Sequence, residues 1–492
     1  MKYFSTRNKN YTVSAAQAIS QGLASDGGLF VPAELPKMDA DEISTLCKMD
    51  YRGRAVHILE KFLDEFSREE LETIVKAAYG DNFDTAEIAP LHLVDGNTAV
   101  LELWHGPTSA FKDMALQMLP HLLTASLKKC GETRKVCILV ATSGDTGKAA
   151  LEGFADVEDS KILVFYPHNG VSDVQKLQMI TQSGKNVGVA AVYGNFDDAQ
   201  TGVKKIFNDR EFAAEISEKG WFLSSANSIN WGRLLPQIVY YFSAYCDYVN
   251  SGSIAFGDVV DFAVPTGNFG NILACWYAKK MGLPVGRLLC ASNENNVLTD
   301  FFASGTYNRN RVFHTTISPS MDILVSSNLE RLLYSVSEDD KLVAEYMAKL
   351  SESGEYTVSK EIRKVLNDNF SGGFCSDVDT KALINKVYTE NNYLMDTHTA
   401  VAYKNLCDYR AENKTVPTVV VSTASPFKFC NSVLSALGEN SDAPGTELIE
   451  KLSDYTGLPA PKPLKDLDKR EKRFNLVVEK QDMKQTVKEF LL

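Results

Sequence analysis

Positive charge is in short supply in this sequence: 51 Lys and Arg stand against 63 Asp and Glu, a formal net charge of -12. Nucleic acid is thereby excluded as a main partner, because phosphate backbones demand a basic face. A small anion is not excluded, since one local basic pocket can hold a phosphate on an acidic protein. Paired cysteines are missing as well. Nine cysteines, an odd number, stand singly between Cys47 and Cys430 with no C-x-x-C. That leaves neither a zinc ribbon nor a disulfide framework and fits reduced thiols in a cytosolic protein. The seven histidines show no H-x-x-x-H or comparable spacing, so no metal is expected and His105 and His398 read as structural. No apolar run approaches the ~20 residues that span a bilayer. The start, MKYFSTRNKNYTVS, has no apolar core of a secretory signal. A soluble, cytoplasmic protein without a membrane partner is expected. Internal repeats, low-complexity tracts and a G-x-S-x-G nucleophile elbow are absent too.

What is present is an ordinary globular composition, 44% hydrophobic and 23% charged, over 492 residues. That length is too great for one core and predicts two or three units. Residues 1–90 carry helical apolar spacing over 55–62 and 71–78 with short extended pieces, and 81–90 reads as a hinge. From residue 91 the pattern alternates. Strands are predicted over 99–103, 136–141, 162–166, 187–193, 262–265 and 418–422. Helices are predicted over 111–127, 147–154, 171–181, 197–207 and 271–281. Short apolar strands alternating with amphipathic helices mean an α/β fold with mostly parallel sheets, whose ligands bind at the carboxyl ends of the strands. The organisation expected is an N-terminal unit over 1–90, an α/β catalytic domain over 91–440 with a helical insertion around 330–390, and a C-terminal tail over 441–492.

Five loops carry the chemistry. In HGPTSAFKD, residues 105–113, Lys112 falls in a predicted first helical turn. There the helix dipole disfavours an ammonium and favours the neutral, nucleophilic amine. Read alone, its spacing favours a surface lysine near a helix start. ATSGDTG, residues 141–147, offers hydroxyls and free N–H groups at a helix start, suited to a carboxylate or phosphate, or is simply a capping turn. It is not a P-loop, because Gly144 lies three before Gly147 and Ala149 follows Lys148. PTGNFGN, residues 265–271, brings two glycines to a strand-to-helix turn, a phosphate signal without the dinucleotide G-x-G-x-x-G. SANSINWGR, residues 225–233, groups amides, hydroxyls and Arg233, which suit a second anion or an irregular surface turn. STASPFKF, residues 422–429, reads by itself as an ordinary turn, though the Thr423 hydroxyl could meet a buried ring nitrogen.

In this order, and together with SPSMDILVSSNLERLL over 318–333, these segments resemble the threonine synthases, fold-type-II pyridoxal-phosphate enzymes of the tryptophan-synthase-β class. The resemblance runs over nearly the whole chain and implies two parallel-sheet α/β subdomains with a small N-terminal unit. It implies that Lys112 carries pyridoxal 5'-phosphate as a Schiff base and that Gly267, Asn268, Phe269, Gly270 and Asn271 cradle the cofactor phosphate. Thr423 would face the pyridine nitrogen and Asp145 the cofactor's 3′-oxygen. Thr142, Ser143 and Thr146 would hold a substrate carboxylate, and Asn227, Ser228 and Arg233 a substrate phosphate. The family's last motif commonly reads STAHPAKF, from which Ser425 and Phe427 depart. The activity implied is conversion of O-phospho-L-homoserine and water to L-threonine and phosphate, a carbon–oxygen lyase reaction acting on a small phosphorylated amino acid, by a monomer or homodimer. Two readings stay open beside it: a phospho-lyase on O-phosphothreonine or O-phosphoserine or a dehydratase, and a cofactor-binding protein without turnover.

Overall fold

The computed structural model describes residues 1–142, 144–413, 415–441 and 443–492. The strand Lys135–Ala141 shows why the α/β reading holds. After Lys135 it is a six-residue apolar run, too short for a core helix and buried on both faces over 136–140, as a central parallel strand requires. It lies in a five-stranded sheet with the order Val477–Val478, Val187–Val192, Ser160–Pro167, Lys135–Ala141, Trp221–Ser224, all parallel. The larger sheet has six strands in the order Phe370–Phe374, Val285–Ser292, Val260–Pro265, Thr418–Ser422, Thr98–Glu102, Leu91–Asp95. Only Leu91–Asp95 runs antiparallel there. The N-terminal unit adds an antiparallel sheet, Asn8–Ser14, Lys2–Ser5, Phe30–Pro32, and the helices Tyr51–Glu60 and Arg68–Ala78.

Helix Trp231–Asn250 is buried around almost its whole circumference and packs against helices Gly270–Met281, Tyr51–Glu60 and Asp113–Leu116. It thereby joins the N-terminal unit to both anion loops. The joint is fastened a second time: Arg7 makes two hydrogen bonds of 2.8 Å to Glu330, a carboxylate only 5% exposed, and Thr6 donates to the same group.

Three expectations need correction. The helix predicted over 111–127 is two helices, Asp113–Leu116 and Leu119–Lys129. Pro120 has no N–H to give the Leu116 carbonyl, so the ladder breaks there. That free carbonyl faces Gly153 of helix Asp145–Phe154 so closely that a Cβ there would lie 2.0 Å from the oxygen. The insertion is not purely helical: Glu355–Thr357 pairs with Thr306–Asn308, and Phe370–Phe374 returns to the main sheet. The tail is no loose end either. Val477–Val478 extends the five-stranded sheet, and Met483, Val487 and Leu491 of helix Met483–Leu491 are buried against it.

Candidate active site

The HGPTSAFKD loop is held by its own aspartate. Asp113 is fully buried and accepts from the Thr108 N–H at 2.8 Å and the Thr108 hydroxyl at 2.7 Å. Gly106 is required there, since a Cβ would lie 2.6 Å from the Asp113 side chain. Ser109 adopts the left-handed region at φ 57, backbone strain of the order of 1–3 kcal/mol concentrated beside the site. The loop aims Lys112 inward, its side chain 12% exposed, with Nζ 3.3 Å from Ser320 Oγ and 3.9 Å from Asp145 Oδ2. Burial pushes the Lys112 amine down to about 8; Asp145 opposes this, and the Lys428 and Arg233 cations add to it. The helix dipole expected to lower this lysine is thus not the main cause. Lys112 caps a helix of four residues, and removal from water dominates.

The PTGNFGN turn lies at the carboxyl end of Val260–Pro265, where helix Gly270–Met281 starts. Phe269 is left-handed at φ 66, which turns the N–H groups to one side. Among the described residues, no acceptor takes the N–H groups of Gly267, Asn268, Phe269, Gly270 or Asn271. Asn271 Oδ1 accepts from Tyr240 and Tyr241, which fixes the amide and leaves Nδ2 buried without a partner. A Cβ on Gly267 would lie 2.8 Å from the Ser320 carbonyl, so only glycine fits between loop and wall. Unspent donors at a helix start suit a phosphate monoester, and the amine of Lys112 suits an aldehyde. Pyridoxal 5'-phosphate has both groups, so the residues fit it.

Asp145 opens helix Asp145–Phe154 at the carboxyl end of Lys135–Ala141. Its Oδ1 accepts from Lys428 Nζ at 2.7 Å and Gln175 Nε2 at 3.1 Å. Burial works against its charge, but the Lys428 and Lys112 ammoniums outweigh that and hold Asp145 well below the usual carboxylate range. Thr142 has a task within the loop itself. Its hydroxyl accepts the N–H groups of Gly144 and Gly147 and donates to the Gly144 carbonyl, which shapes the loop and leaves nothing over. Ser143 lies outside the described residues. Thr146 is half-buried, with its hydroxyl unspent among them.

Arg233 is buried in the first turn of helix Trp231–Asn250. Burial lowers its guanidinium to about 10; Nη1 donates to the Ala226 carbonyl, while Nε is buried without a partner. Ser228 is half-buried and Asn227 exposed on the loop just before it. Thr423 is only 6% exposed, at the carboxyl end of Thr418–Ser422. Its carbonyl accepts from the Phe111 N–H at 2.8 Å, next to the bridge between Ala110 and Ala424. Ser425 and Phe427 are buried, and the Ser425 N–H donates to the Ser109 carbonyl at 3.1 Å. The departures from the family motif thus still anchor the turn on the lysine loop.

Several residues that carried no binding role in the sequence reading, His398 among them as a structural histidine, belong to the site. Asn328 Nδ2 donates to the carbonyls of Asn268 and Ser228, joining the two anion loops. Arg331, fully buried, donates to Asn328 Oδ1 and the Ile229 carbonyl and fixes that joint. His398 accepts the Ser320 N–H at Nε2, 3.1 Å away, so its Nδ1 carries the proton shared with Asp396 at 2.9 Å. Lys428 pairs with Asp145. The signal for Asn328 and Arg331 was their place in the 318–333 segment, polar residues amid apolar ones.

The family model described as pyridoxal-phosphate dependent enzyme matches residues 95–425. Models for the threonine synthase N terminus and the threonine synthase C-terminal region match 2–79 and 399–491. The chain belongs to the pyridoxal-phosphate dependent enzymes and, within them, to the threonine synthase family. It is 40% identical to threonine synthase of Pseudomonas aeruginosa, covering 93% of this chain and 96% of that one. It is 44% identical to human threonine synthase-like 1, covering 90% of this chain but spanning only 61% of that protein's length. The crystal structure of yeast threonine synthase superposes with a TM-score of 0.90 at 34% identity, covering 100% of this chain and 98% of that one. A cofactor-bound threonine synthase structure from Brucella melitensis superposes at 0.89 and 38% identity, covering 100% and 99%. The cofactor indicated by family and site together is pyridoxal 5'-phosphate. No described helix is long and apolar enough to cross a membrane.

Proposed function

We propose that the protein is a threonine synthase, converting O-phospho-L-homoserine and water to L-threonine and phosphate. The observation that supports this reading is a pair of separate loops near Lys112, each suited to an anion. One is the loop 267–271, suited to the cofactor phosphate. The other is Arg233 with Ser228 and Asn227, suited to a phosphate brought by the substrate. A cofactor-dependent enzyme acting on an unphosphorylated amino acid has no use for the second.

In this reading Gly267, Asn268, Phe269, Gly270 and Asn271 bind the cofactor phosphate and Thr423 offers its hydroxyl to the ring nitrogen. When bound, the cofactor supplies an electron sink for the charge that develops on the substrate carbons. Thr146 and the N–H groups at the start of helix Asp145–Phe154 bind the substrate carboxylate. Arg233 holds the leaving phosphate through Nε and stabilises its charge as it departs from Cγ. Lys112 Nζ takes protons from Cα and Cβ and, once phosphate has left, returns protons to Cγ and Cα, a task that suits an amine near neutrality. Water then adds at Cβ. The free cysteines fit a reducing compartment such as the cytoplasm, and in this reading the protein works there, as a monomer or homodimer, on a small phosphorylated amino acid.

The test is to incubate the protein with O-phospho-L-homoserine and identify the amino acid formed beside released phosphate. Threonine in step with phosphate is expected. Phosphate accompanied by 2-oxobutyrate would replace this reading with a phospho-lyase.

A further inference from the structure

The site contains a second lysine. Lys428, in the turn Pro426–Lys428, has a side chain with no exposure at all, and its Nζ donates to Asp145 Oδ1 at 2.7 Å and the Thr108 carbonyl at 3.1 Å. A buried ammonium is retained only where it is paired and hydrogen-bonded, and this one is both. Asp145 therefore stands between two lysines: 2.7 Å from Lys428, within hydrogen-bond distance, and 3.9 Å from Lys112, a loose ion pair beyond hydrogen-bond distance.

We infer that Lys428 is the resident counter-ion of Asp145, and that it keeps this carboxylate from capturing Lys112 as an ammonium. The inference rests on the reading of Lys112 as the nucleophilic amine and deepens it. One carboxylate neutralises one cation. With Asp145 matched to Lys428, Lys112 faces a pair that is neutral overall, together with Arg233 from helix Trp231–Asn250 and Asp113 from its own loop. Asp113 is pushed up to about 6 by burial, partly offset by its Thr108 bonds, and is turned toward Thr108. Among the described residues the other groups at Nζ are uncharged: the Ser320 hydroxyl at 3.3 Å and the Phe111 ring, 5.0 Å away at its centroid. Removing Lys428 leaves a buried carboxylate with Lys112 as its nearest cation. The low-dielectric site then favours the Lys112–Asp145 ion pair, and the amine stops being a nucleophile near neutral pH. Lys428 is in this sense a positioning residue: it acts through Asp145.

The test follows Lys112 directly, in the cofactor-free full chain, by competitive acetylation with acetic anhydride across pH and peptide mapping of the Lys112 product. The wild-type protein is expected to titrate near pH 8 rather than at the ordinary 10.5. Lys428→Met is expected to slow labelling at pH 8 by about fivefold or more, the effect of moving the midpoint up by a unit or more. Lys428→Gln, which keeps a donor for the Thr108 carbonyl and so holds the turn should the methionine variant fail to fold, is expected to show the same displacement. Lys428→Arg retains the wild-type midpoint. Adding Asp145→Asn to Lys428→Gln brings the midpoint back down. A wild-type midpoint near 8 that Lys428→Gln leaves in place overturns the counter-ion assignment alone. A wild-type midpoint at the ordinary lysine value overturns the reading of Lys112 and this inference with it.

Discussion

At the scale of single residues, the site depends on how burial and near charges divide protons among Lys112, Asp145 and His105. Lys112→Ala is expected to abolish the visible absorbance of the lysine-bound cofactor and to cut turnover by at least ~10²–10⁴, the usual share of a positioned acid–base group. An absorbance spectrum and a phosphate-release assay check it, and an active variant would remove Lys112 from the chemistry. His105 offers a pH test. Its ring is partly buried, which disfavours charge, but it lies 2.6 Å from Asp84 and 2.9 Å from Glu102, and the two carboxylates raise it from 6.5 to about 9. A base raised on folding contributes stability that is fully present below its unfolded value and is lost as pH rises through the folded one. Wild type should therefore exceed His105→Gln by on the order of 1–3 kcal/mol at pH 6, with the gap closing through pH 9. Urea midpoints at the two pH values measure it, and a gap independent of pH would show that the ring acts by packing alone.

At the scale of elements, the close crossing of helices Asp113–Leu116 and Asp145–Phe154 sets the distance between the Lys112 and Asp145 loops. Pro120 frees the Leu116 carbonyl, and Gly153 gives it room. Gly153→Ala has no free space for its methyl and should cost ~1–3 kcal/mol, the usual penalty of overpacking. It should also weaken cofactor binding, because the two loops move apart; thermal melts with and without the cofactor test both effects. The same elements show what the sequence discloses. Strand Thr418–Ser422, a β-branched run between turn residues, was legible to the residue, and Val260–Pro265 and Ser160–Pro167 nearly so. Helix Trp231–Asn250 was not, because burial on all sides erases the period on which recognition depends. Strand Phe370–Phe374 was hidden by its paired glycines, which lack any strand signature. The loops that bear Lys112, Gly267 and Arg233 could be read as motifs. The pairing of Lys428 with Asp145, or of Arg331 with the Ile229 carbonyl, could not, since each partner is ordinary in its own surroundings and gains meaning only through long-range packing.

At the scale of the whole molecule, the N-terminal unit is held on by a partly buried ionic clasp. Arg7→Met leaves Glu330 buried with only the Thr6 hydroxyl and should cost roughly 2–4 kcal/mol, toward the lower end for buried pairs because Arg7 is 28% exposed. The expected readout is a lower melting temperature together with faster proteolysis ahead of residue 80. Unchanged melting would show that the helix packing alone holds the unit. The order of the six-stranded sheet has a further consequence, in time rather than in energy. Thr418–Ser422 lies between Val260–Pro265 and Thr98–Glu102, so the middle of the sheet is made last of its six strands. A ribosome adding ~5–20 residues per second delivers it some tens of seconds after Thr98–Glu102 emerges. Throughout that interval the nascent chain carries two open strand edges that cannot join each other, and Thr423 has not been synthesised. The protein is thus born with a slot in its sheet, and a chain released early, before residue 418, is left with a permanent template for edge-to-edge association.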